Sequence, residues 1–217
     1  MDKMKELAEK VEKGKNQEVP ALVQEILDSG ATPYDVLLNG LQAGLLIIGE
    51  RFKKDECFIP EVLLSVRAMK AGMEILEPLL AEGGSEPIAK VVLGTVKDDL
   101  HDIGKNMVGM MLEGSGFKVI DIGINVSESA FLDAVIREGP DILAMSALLS
   151  TTMPYLKTTI DTLKEHGVRD KIKVLVGGAP VTEEYALESG ADGYAPDSAH
   201  AVDKAKELIM EKISNNN

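Results

Sequence analysis

The sequence predicts an α/β domain preceded by a domain made only of helices, and three observations lead to this prediction. Residues up to about 81 carry apolar residues at helical spacing. From about residue 88 onward, short apolar runs alternate with helical patterns. Between the two lies Ala81–Pro87, whose glycines, serine and glutamates are typical of a linker. We therefore predict a helical domain at residues 1–82, a linker at 83–87 and an α/β domain at 88–217.

Four amphipathic helices are predicted in the first domain. Apolar residues repeat at helical spacing in four segments, which are Met4–Val11, Val19–Leu27, Val36–Phe52 and Val62–Leu80. Thr32 followed by Pro33 is typical of an N-cap and a first helical turn, and Pro60 also suits a first turn. Because the connections are short, we expect a small antiparallel four-helix bundle.

Five short apolar runs in the second domain predict strands. These runs are Val91–Val96, Lys118–Ile122, Ile142–Ser146, Val174–Gly177 and Gly193–Ala195. Helical patterns follow them at Lys105–Glu113, Glu128–Arg137, Tyr155–His166, Glu183–Ser189 and Ala201–Ile213. Strict alternation of this kind indicates a parallel sheet with helices on both faces. For a domain of about 130 residues, a Rossmann-like sheet in the flavodoxin-like strand order 2-1-3-4-5 is expected.

Composition excludes several classes of protein. The chain has 217 residues, and 23 Lys and Arg against 36 Asp and Glu give a net charge of −13. Nucleic-acid recognition needs a basic surface, which such a chain lacks. The single cysteine, Cys57, excludes an internal disulfide, and no apolar run reaches the roughly 20 residues of a membrane helix. No secretory signal opens the sequence, so we expect a soluble, cytoplasmic protein with no membrane or nucleic-acid partner.

The predicted topology selects the region where a ligand should bind. In a sheet of this order, ligands bind beyond the carboxyl ends of the strands, where the order reverses between the first and third strands. The loops that follow the first, third and fourth strands are residues 97–104, 146–152 and 177–179. We expect these three loops to converge at one edge of the sheet.

The loop after the first strand contains one of the three histidines, among acidic residues. Asp98, Asp99 and Asp102 surround His101, and Gly104 then begins a helix. Imidazole is a common ligand of transition metals, and a ligating histidine usually donates its other ring N–H to a carboxylate. Asp99 lies within reach for that role. On spacing alone, an acidic solvated loop with an incidental histidine explains the segment equally well.

Small residues follow the third and fourth strands. Ser146 and Ser150 flank Leu148, and Gly177 and Gly178 end the fourth strand. Backbone without side chains would leave a slot between the strands, lined by hydroxyl groups and suited to an elongated ligand. The alternative is that tight β/α turns favour Gly and Ser whatever the function.

Three motifs at these strand ends match one family. Asp99–Gly104 has the DxHxxG pattern of cobalamin-binding domains, Ser146–Leu148 matches their SxL, and Gly177–Gly178 matches their later glycine pair. The chain thus resembles the binding module of cobalamin-dependent methionine synthase and of corrinoid methyl-carrier proteins, over about residues 3–212. In the helical half, Gly49–Phe52 and Phe58–Leu63 resemble the helical cap of those proteins.

The resemblance implies a role for each motif. His101 would replace the cofactor's own base as the lower ligand of cobalt (base-off, His-on), and Asp99 would bind its other ring nitrogen. Thr152 stands where methionine synthase has the serine that continues this relay. The displaced nucleotide tail would lie in the slot, and Gly104 would let its helix start close to the corrin ring. The implied cofactor-binding residues here are Asp99, His101, Asp102, Ile103, Gly104, Ser146, Leu148, Ser150, Thr152, Gly177 and Gly178, and His101 is the implied metal ligand.

In the helical domain, the resemblance implies a lid over the upper, methyl-bearing face of the cofactor. Phe58, Val66 and Met69 are candidates for contacts with that face. The alternative for each is the core of the bundle. Because a partner enzyme must reach the same face, the lid would have to swing aside, with Ala81–Pro87 as the hinge.

The resemblance also implies a function. The chain would be a non-catalytic subunit that carries a methyl group on cobalt within a multi-component methyltransferase system. Its cofactor would be cobalamin, as methylcobalamin or cob(I)alamin. Its partners would be a substrate:corrinoid methyltransferase, a corrinoid:tetrahydrofolate or corrinoid:thiol methyltransferase, and a reductive activase. Methanol, methylamines, glycine betaine and methoxylated aromatics remain open as methyl donors.

Three other functions stay open at this point. A cobalamin-dependent sensor is disfavoured because no predicted helix is basic enough to bind DNA. A subunit of an adenosylcobalamin mutase is disfavoured by the helical cap, since mutases face this module with a barrel. A metal site without a corrin is the third alternative. Titrating the protein with cobalamin and, separately, with zinc would distinguish it from a corrinoid site.

Overall fold

The structure, a computed structural model, describes residues 3–82 and 87–215. It divides into two compact units between residues 86 and 87. The first unit is helical, and the second contains the sheet. Residues 83–86 of the predicted linker and hinge lie outside the described residues.

The helical unit follows the predicted pattern with one correction. Among residues 3–82 its α-helices are α1 (Lys3–Glu12), α2 (Val19–Asp28), α3 (Pro33–Val36), α4 (Ala43–Lys53) and α5 (Ile59–Glu82). The predicted third helix is wrong as a single α-helix, because a π-helical segment at Leu37–Gln42 separates α3 from α4. A π turn keeps the apolar side chains close to helical spacing, so the sequence pattern does not distinguish it from an α turn.

Two glycines explain how α1 packs closely against this interrupted helix. A Cβ atom on Gly40 would lie 2.5 Å from Leu7 Cδ2, and one on Gly44 would lie 2.4 Å from the carbonyl oxygen of Ala8. Gly44 is required because it faces backbone, whereas a side chain at position 40 would force the Leu7 side chain to shift. The core between these helices is aliphatic and includes the fully buried Leu7, Leu41 and Ile48.

The second unit is a five-stranded parallel sheet with helices between the strands. Its strands are β1 (Lys90–Thr95), β2 (Lys118–Asp121), β3 (Ile142–Ser146), β4 (Lys173–Gly177) and β5 (Gly193–Ala195). Its helices are α6 (Ile103–Gly114), α7 (Glu128–Glu138), α8 (Pro154–Glu165), α9 (Glu183–Ser189) and α10 (Ser198–Asn215). The strand order is β2-β1-β3-β4-β5, and every pair is parallel, which confirms the predicted fold.

The strands are apolar because the sheet is covered on both faces. Val92, Leu143 and Val176 belong to one core with the side chains of α7 and α8. The alternate residues of the same strands, such as Leu93, face the side of α6, where a Cβ on Gly109 would lie 3.0 Å from Leu93 Cδ2. Burial on both sides explains why the runs lack the polar alternation of a half-exposed strand.

The register of the sheet aligns the strand ends that carry the motifs. Thr95 of β1 pairs with Ser146 of β3, Ser146 pairs with Gly177 of β4, and Gly177 pairs with Ala195 of β5. The ends of four strands therefore form one row, and the loops that leave it start side by side.

In the described part of the chain, no helix has the length and apolar character needed to cross a membrane.

Candidate functional site

The candidate site lies at the carboxyl ends of β1, β3 and β4, where the strand order reverses. The β1–α6 loop brings His101 there, and the loop after β3 brings Leu148 and Thr152. The hydroxyl of Thr95, at the end of β1, donates to the carbonyl oxygen of His101 over 2.9 Å. This hydrogen bond holds the backbone of His101 next to the row of strand ends.

The imidazole of His101 is oriented by Asp99. Its Nδ1 lies 2.7 Å from Asp99 Oδ1, and the same oxygen accepts the backbone N–H of His101 over 3.1 Å. An ionised carboxylate only accepts hydrogen bonds, so the ring proton is assigned to Nδ1. Nε2 then presents its lone pair, which is the form in which a histidine binds a metal.

Asp99 stays ionised because the surrounding protein donates to it. Burial of this carboxyl, which has no exposed surface, would raise its pKa. Hydrogen bonds from the Leu148 N–H, the Thr152 hydroxyl and His101 outweigh burial and lower the pKa of Asp99 to about 2. The carboxylate is therefore charged throughout the physiological pH range and a strong acceptor for the imidazole.

Thr152 continues the chain of hydrogen bonds from the imidazole. Its Oγ1 lies 2.7 Å from Asp99 Oδ2 and 2.9 Å from the carbonyl oxygen of Leu149. The hydroxyl has one proton, and the charged carboxylate is the stronger acceptor of the two. The Leu149 N–H in turn donates to Oγ1 over 3.3 Å. The structure thus brings together the imidazole, the carboxylate and the hydroxyl that the sequence named.

The outer face of the imidazole is open and lies among apolar side chains. The His101 side chain is 50% exposed, and Nε2 has no hydrogen-bond partner within residues 3–82 and 87–215. Leu100 and Ile103 on either side are 69% exposed, and Leu148 and Leu149 are also exposed. Exposed apolar side chains around one imidazole indicate a surface that a large apolar group covers.

The donor set distinguishes the kinds of metal centre that fit. Within the described residues, no group of three or more His, Cys, Asp and Glu side chains could hold a metal ion. A structural or catalytic zinc site needs three or four protein ligands. A single imidazole with a free Nε2 is compatible with a metal whose other ligands would come from a bound cofactor, and a cobalt corrinoid is a cofactor of that kind.

The glycines near the site have two different explanations. A Cβ on Gly104 would meet no atom within 4 Å, so the packing of the chain does not require glycine there. By contrast, a Cβ on Gly178 would lie 1.9 Å from the Ala147 carbonyl oxygen, and one on Gly177 would lie 2.7 Å from that of Ala195. Gly178 also has φ of 126°, which favours glycine. The fold itself thus requires the glycine pair, whereas Gly104 leaves room for an outside group.

The remaining α/β residues of the predicted set lie around the imidazole or along the row of strand ends. Asp102, Ile103 and Gly104 are exposed at the start of α6. The hydroxyls of Ser146 and Ser150 have no hydrogen-bond partner in the part of the chain that the structure describes. They are available to an outside ligand.

The three candidates in the helical unit differ in accessibility. Phe58 is 73% exposed at the start of α5, whereas Val66 and Met69 are buried inside the same unit. The burial of Val66 and Met69 agrees with the alternative considered for each, the bundle core. Phe58 has an accessible side chain, and contact of any of the three with a cofactor stays a prediction.

Sequence reasoning missed several groups that shape the site. The backbone N–H of Leu148 donates to Asp99 Oδ2 over 2.7 Å, whereas the sequence predicted Leu148 only as a residue of the slot. Lys105 is buried in the first turn of α6 and forms an ion pair with Asp121. Its position directly after the DxHxxG motif was a sequence signal that could have identified this lysine as a residue near the site. Backbone donors carry no signal in the sequence.

Comparison with known proteins gives matches over both units. A family model described as a B12 binding domain matches residues 89–203, and a second model with the same description matches residues 4–77. A corrinoid protein of Desulfitobacterium hafniense is 41% identical over 212 residues, which are 96% of this chain and 98% of the relative. A dimethylamine corrinoid protein of Methanosarcina barkeri is 41% identical over 207 residues, 95% of this chain and 97% of the relative.

Solved structures agree with these sequence matches. A cobalamin-binding protein from Desulfitobacterium hafniense has a TM-score of 0.82 at 31% identity and covers 94% of this chain and 98% of its own. A chain from the methanol:cobalamin methyltransferase complex of Methanosarcina barkeri has a TM-score of 0.83 at 29% identity, with 96% of this chain and 80% of that one covered.

Proposed function

The chain belongs to the B12-binding corrinoid proteins of methyltransferase systems, and from that premise we propose that it carries a methyl group on cobalt between two methyltransferases. The resemblance inferred from the three motifs is confirmed by this membership. A cobalt corrinoid is the cofactor of this family. When bound, it supplies a cobalt atom that accepts a methyl group in its reduced state and later releases it.

One observation supports His101 as the lower ligand of that cobalt. Its Nδ1 is bonded to an ionised, buried Asp99, while Nε2 is free on a half-exposed ring. This combination fixes the tautomer, aims one lone pair outward and increases the basicity of the ligand. We propose that the cofactor binds with its own base displaced and His101 in its place.

The residues of the site then have distinct tasks. Thr152 and the Leu148 N–H keep Asp99 charged. Asp99 would then hold the ring N–H at Nδ1 of His101 and leave Nε2 to face the cofactor. The exposed apolar side chains of Leu100 and Ile103 would exclude water from a corrin ring bound next to the imidazole.

We assign the displaced nucleotide tail to the slot predicted after β3 and β4. Ser146 and Ser150 provide free hydroxyls, and Gly177 and Gly178 bring the strand ends together without side chains. Leu148 lies between the serines and provides apolar contact. Gly104, whose missing Cβ leaves open space, permits the start of α6 to approach the ring.

The proposed partners follow from the relatives. One relative is a dimethylamine corrinoid protein, and one solved neighbour belongs to a methanol:cobalamin methyltransferase complex. We propose a substrate:corrinoid methyltransferase as the methyl source and a tetrahydrofolate or thiol methyltransferase as the acceptor, with a reductive activase. The free, buried Cys57 agrees with a reducing cytoplasmic compartment, in which we place the protein.

The test is reconstitution of the apo-protein with methylcobalamin. The purified wild-type protein should retain the corrinoid through gel filtration and show the visible spectrum of a nitrogen-ligated species. His101→Ala should retain corrinoid with a base-off spectrum, and His166→Ala, at the exposed end of α8, should match wild type. Failure of the wild type to take up any corrinoid, or retention with the native base still on cobalt, would overturn the proposal.

Carrier activity requires a second measurement. Wild-type protein loaded with cob(I)alamin is mixed with a purified dimethylamine or methanol methyltransferase and its substrate. The methylcobalamin spectrum should appear with at least one such enzyme and disappear when an acceptor methyltransferase is added together with its methyl acceptor, tetrahydrofolate or a thiol. A loaded protein that is methylated by neither class of enzyme would contradict the assignment of these donors.

A further inference from the structure

We propose that Asn125, in the loop between β2 and α7, is a positioning residue that fixes the Asp98–Asp99 segment for cobalt ligation by His101. The inference rests on the proposed function, since it concerns the ligand that His101 provides. Among the described residues, Asn125 is hydrogen-bonded to the backbone of Asp98 and Asp99 and not to His101. Its role would therefore be indirect.

Asn125 is hydrogen-bonded to the backbone of two successive residues of the histidine loop, Asp98 and Asp99. Its backbone N–H donates to the carbonyl oxygen of Asp99 over 3.0 Å. Its side-chain Oδ1 accepts the backbone N–H of Asp98 over 2.8 Å. Asn125 thus holds the loop through both its own main chain and its own side chain. The two contacts are made at Asp99, which orients the imidazole, and at Asp98 directly before it.

Two residues of this contact have a left-handed backbone. Asp98 has φ of 62° and Asn125 has φ of 53°, a region that residues other than glycine seldom occupy and that Asn and Asp reach more often than the rest. Such conformations persist where surrounding contacts determine them. Here the two left-handed residues are hydrogen-bonded to each other, so each conformation supports the other.

A second contact restrains the side chain of Asp98. The Tyr155 hydroxyl in α8 donates to Asp98 Oδ2 over 2.7 Å, and Lys97 Nζ lies 5.4 Å from the centre of the Tyr155 ring. The main chain of Asp98 is thus bonded to one neighbouring segment and its side chain to another. Neither contact involves the imidazole ring of His101.

Positioning matters because Asp99 transmits its own placement to the ligand. Asp99 Oδ1 accepts both the backbone N–H and the ring Nδ1 of His101, so a displacement of Asp99 moves the imidazole. Ligand geometry tolerates displacements of only about half an ångström before function suffers. Loosening Asn125 should therefore increase the fraction of protein in which His101 is off the cobalt.

Three variants separate the side-chain contact from the backbone conformation. Asn125→Gly keeps the left-handed conformation accessible and removes the Oδ1 acceptor. Asn125→Asp keeps both an acceptor and tolerance of positive φ. Asn16→Gly, in the turn between α1 and α2, is the matched control because the Asn16 side chain has no hydrogen bond within the described residues.

The readout is the electron paramagnetic resonance spectrum of bound cob(II)alamin on ¹⁵N-labelled protein, recorded well below the unfolding temperature of each variant. The splitting from a protein nitrogen reports the His-on fraction. We expect Asn125→Gly to raise the ratio of His-off to His-on by about two- to tenfold, the effect of one ordinary hydrogen bond. Asn125→Asp and Asn16→Gly should remain close to wild type.

The outcomes separate this inference from the proposed function. If wild type shows the protein-nitrogen splitting and Asn125→Gly has the same His-off ratio, the positioning role is wrong and the proposed function stands. If Asn125→Asp loses ligation as much as Asn125→Gly does, the acceptor is not the cause and the inference also fails. A wild type without protein-nitrogen splitting overturns the proposed function itself.

Discussion

Two histidine–aspartate pairs lie in the described part of the α/β unit, and their surroundings differ. His101 Nδ1 lies 2.7 Å from Asp99, and His200 Nδ1 lies 2.6 Å from Asp197. Both carboxylates also accept the backbone N–H of their histidine. Judged by the imidazole and its nearest oxygen alone, the two pairs are nearly the same.

The two pairs differ in how deeply the carboxylate is buried and in the other hydrogen bonds that it accepts. Asp99 is fully buried and accepts further hydrogen bonds from Thr152 and Leu148, two residues about fifty positions away in sequence. The Asp197 side chain is 25% exposed and caps the first turn of α10 through the N–H groups of Ala199 and His200. Asp197 is therefore explained by helix capping, whereas the donors around Asp99 serve no helix end.

This contrast shows that a histidine–aspartate contact is weak evidence for a site. What distinguishes His101 is a carboxylate that tertiary contacts keep charged in a buried position, next to an apolar surface. Four predictions test the comparison, from the largest expected effect to the smallest.

The largest effect is expected from removing each histidine. His101→Ala should abolish the protein-nitrogen ligand and convert the visible spectrum of bound methylcobalamin to the base-off form. His200→Ala should leave the spectrum unchanged, since its ring is bonded to a helix cap. Absorption spectra of the two reconstituted variants provide the measurement. Equal spectra for both variants would show that the surroundings of Asp99 do not select the ligand.

The second prediction concerns the two aspartates. Asp99→Asn places an amide among buried donors and should lower the free energy of unfolding of the α/β unit by about 2–4 kcal/mol. Asp197→Asn should change it by no more than about 0.5 kcal/mol, since Asn caps a helix as well as Asp does. Urea unfolding at neutral pH measures both values. A cost for Asp197→Asn as large as that for Asp99→Asn would remove the distinction between the pairs.

The third prediction is a pH dependence specific to Asp99. Because its folded pKa is about 2, below the 3.8 of an unperturbed carboxyl, its contribution to stability is fully present above the unfolded pKa. The contribution is lost as the pH falls from about 4 toward 2, and should amount to about 2 kcal/mol. Unfolding free energies of wild type and Asp99→Asn should converge over that range. A difference that stays constant down to pH 2 would contradict the low pKa of Asp99.

The smallest effect is expected from removing the Thr152 hydroxyl, which donates to Asp99. Thr152→Val should cost about 1–2 kcal/mol in wild type, because a hydrogen bond to a charged carboxylate is lost, and clearly less in the Asp99→Asn background. Thr159→Val is the control, since its hydroxyl donates to the carbonyl oxygen of Tyr155 and its cost should be the same in both backgrounds. A double-mutant cycle by urea unfolding measures the coupling. A coupling free energy of zero between Thr152 and Asp99 would show that the Thr152 hydroxyl is not part of the hydrogen-bonded relay.

The architecture of the α/β unit was predictable because burial on both faces makes its strands continuous apolar runs. The run at Ile142–Ser146 was predicted to the residue, and the strand order followed from the strict alternation of strands and helices. The π segment at Leu37–Gln42 was not predictable in the same way. It depends on which helix Gly40 and Gly44 contact, and that is a property of packing rather than of local sequence.

The site shows a similar division. His101 and Asp99 were predictable because both lie in one short loop with a recognisable spacing. Thr152 came only from the family resemblance, since 53 positions separate it from Asp99. The Leu148 N–H and Asn125 gave no signal, because a backbone donor can belong to any residue and an exposed asparagine in a turn is ordinary.

The most direct test of the account is the origin of the nitrogen bonded to cobalt. Unlabelled cobalamin is bound to ¹⁵N-labelled wild-type protein, reduced to cob(II)alamin and examined by electron paramagnetic resonance. The account predicts that each cobalt line is split into a doublet by ¹⁵N of His101. A triplet from the ¹⁴N of the cofactor's own base, or no nitrogen splitting at all, would contradict it.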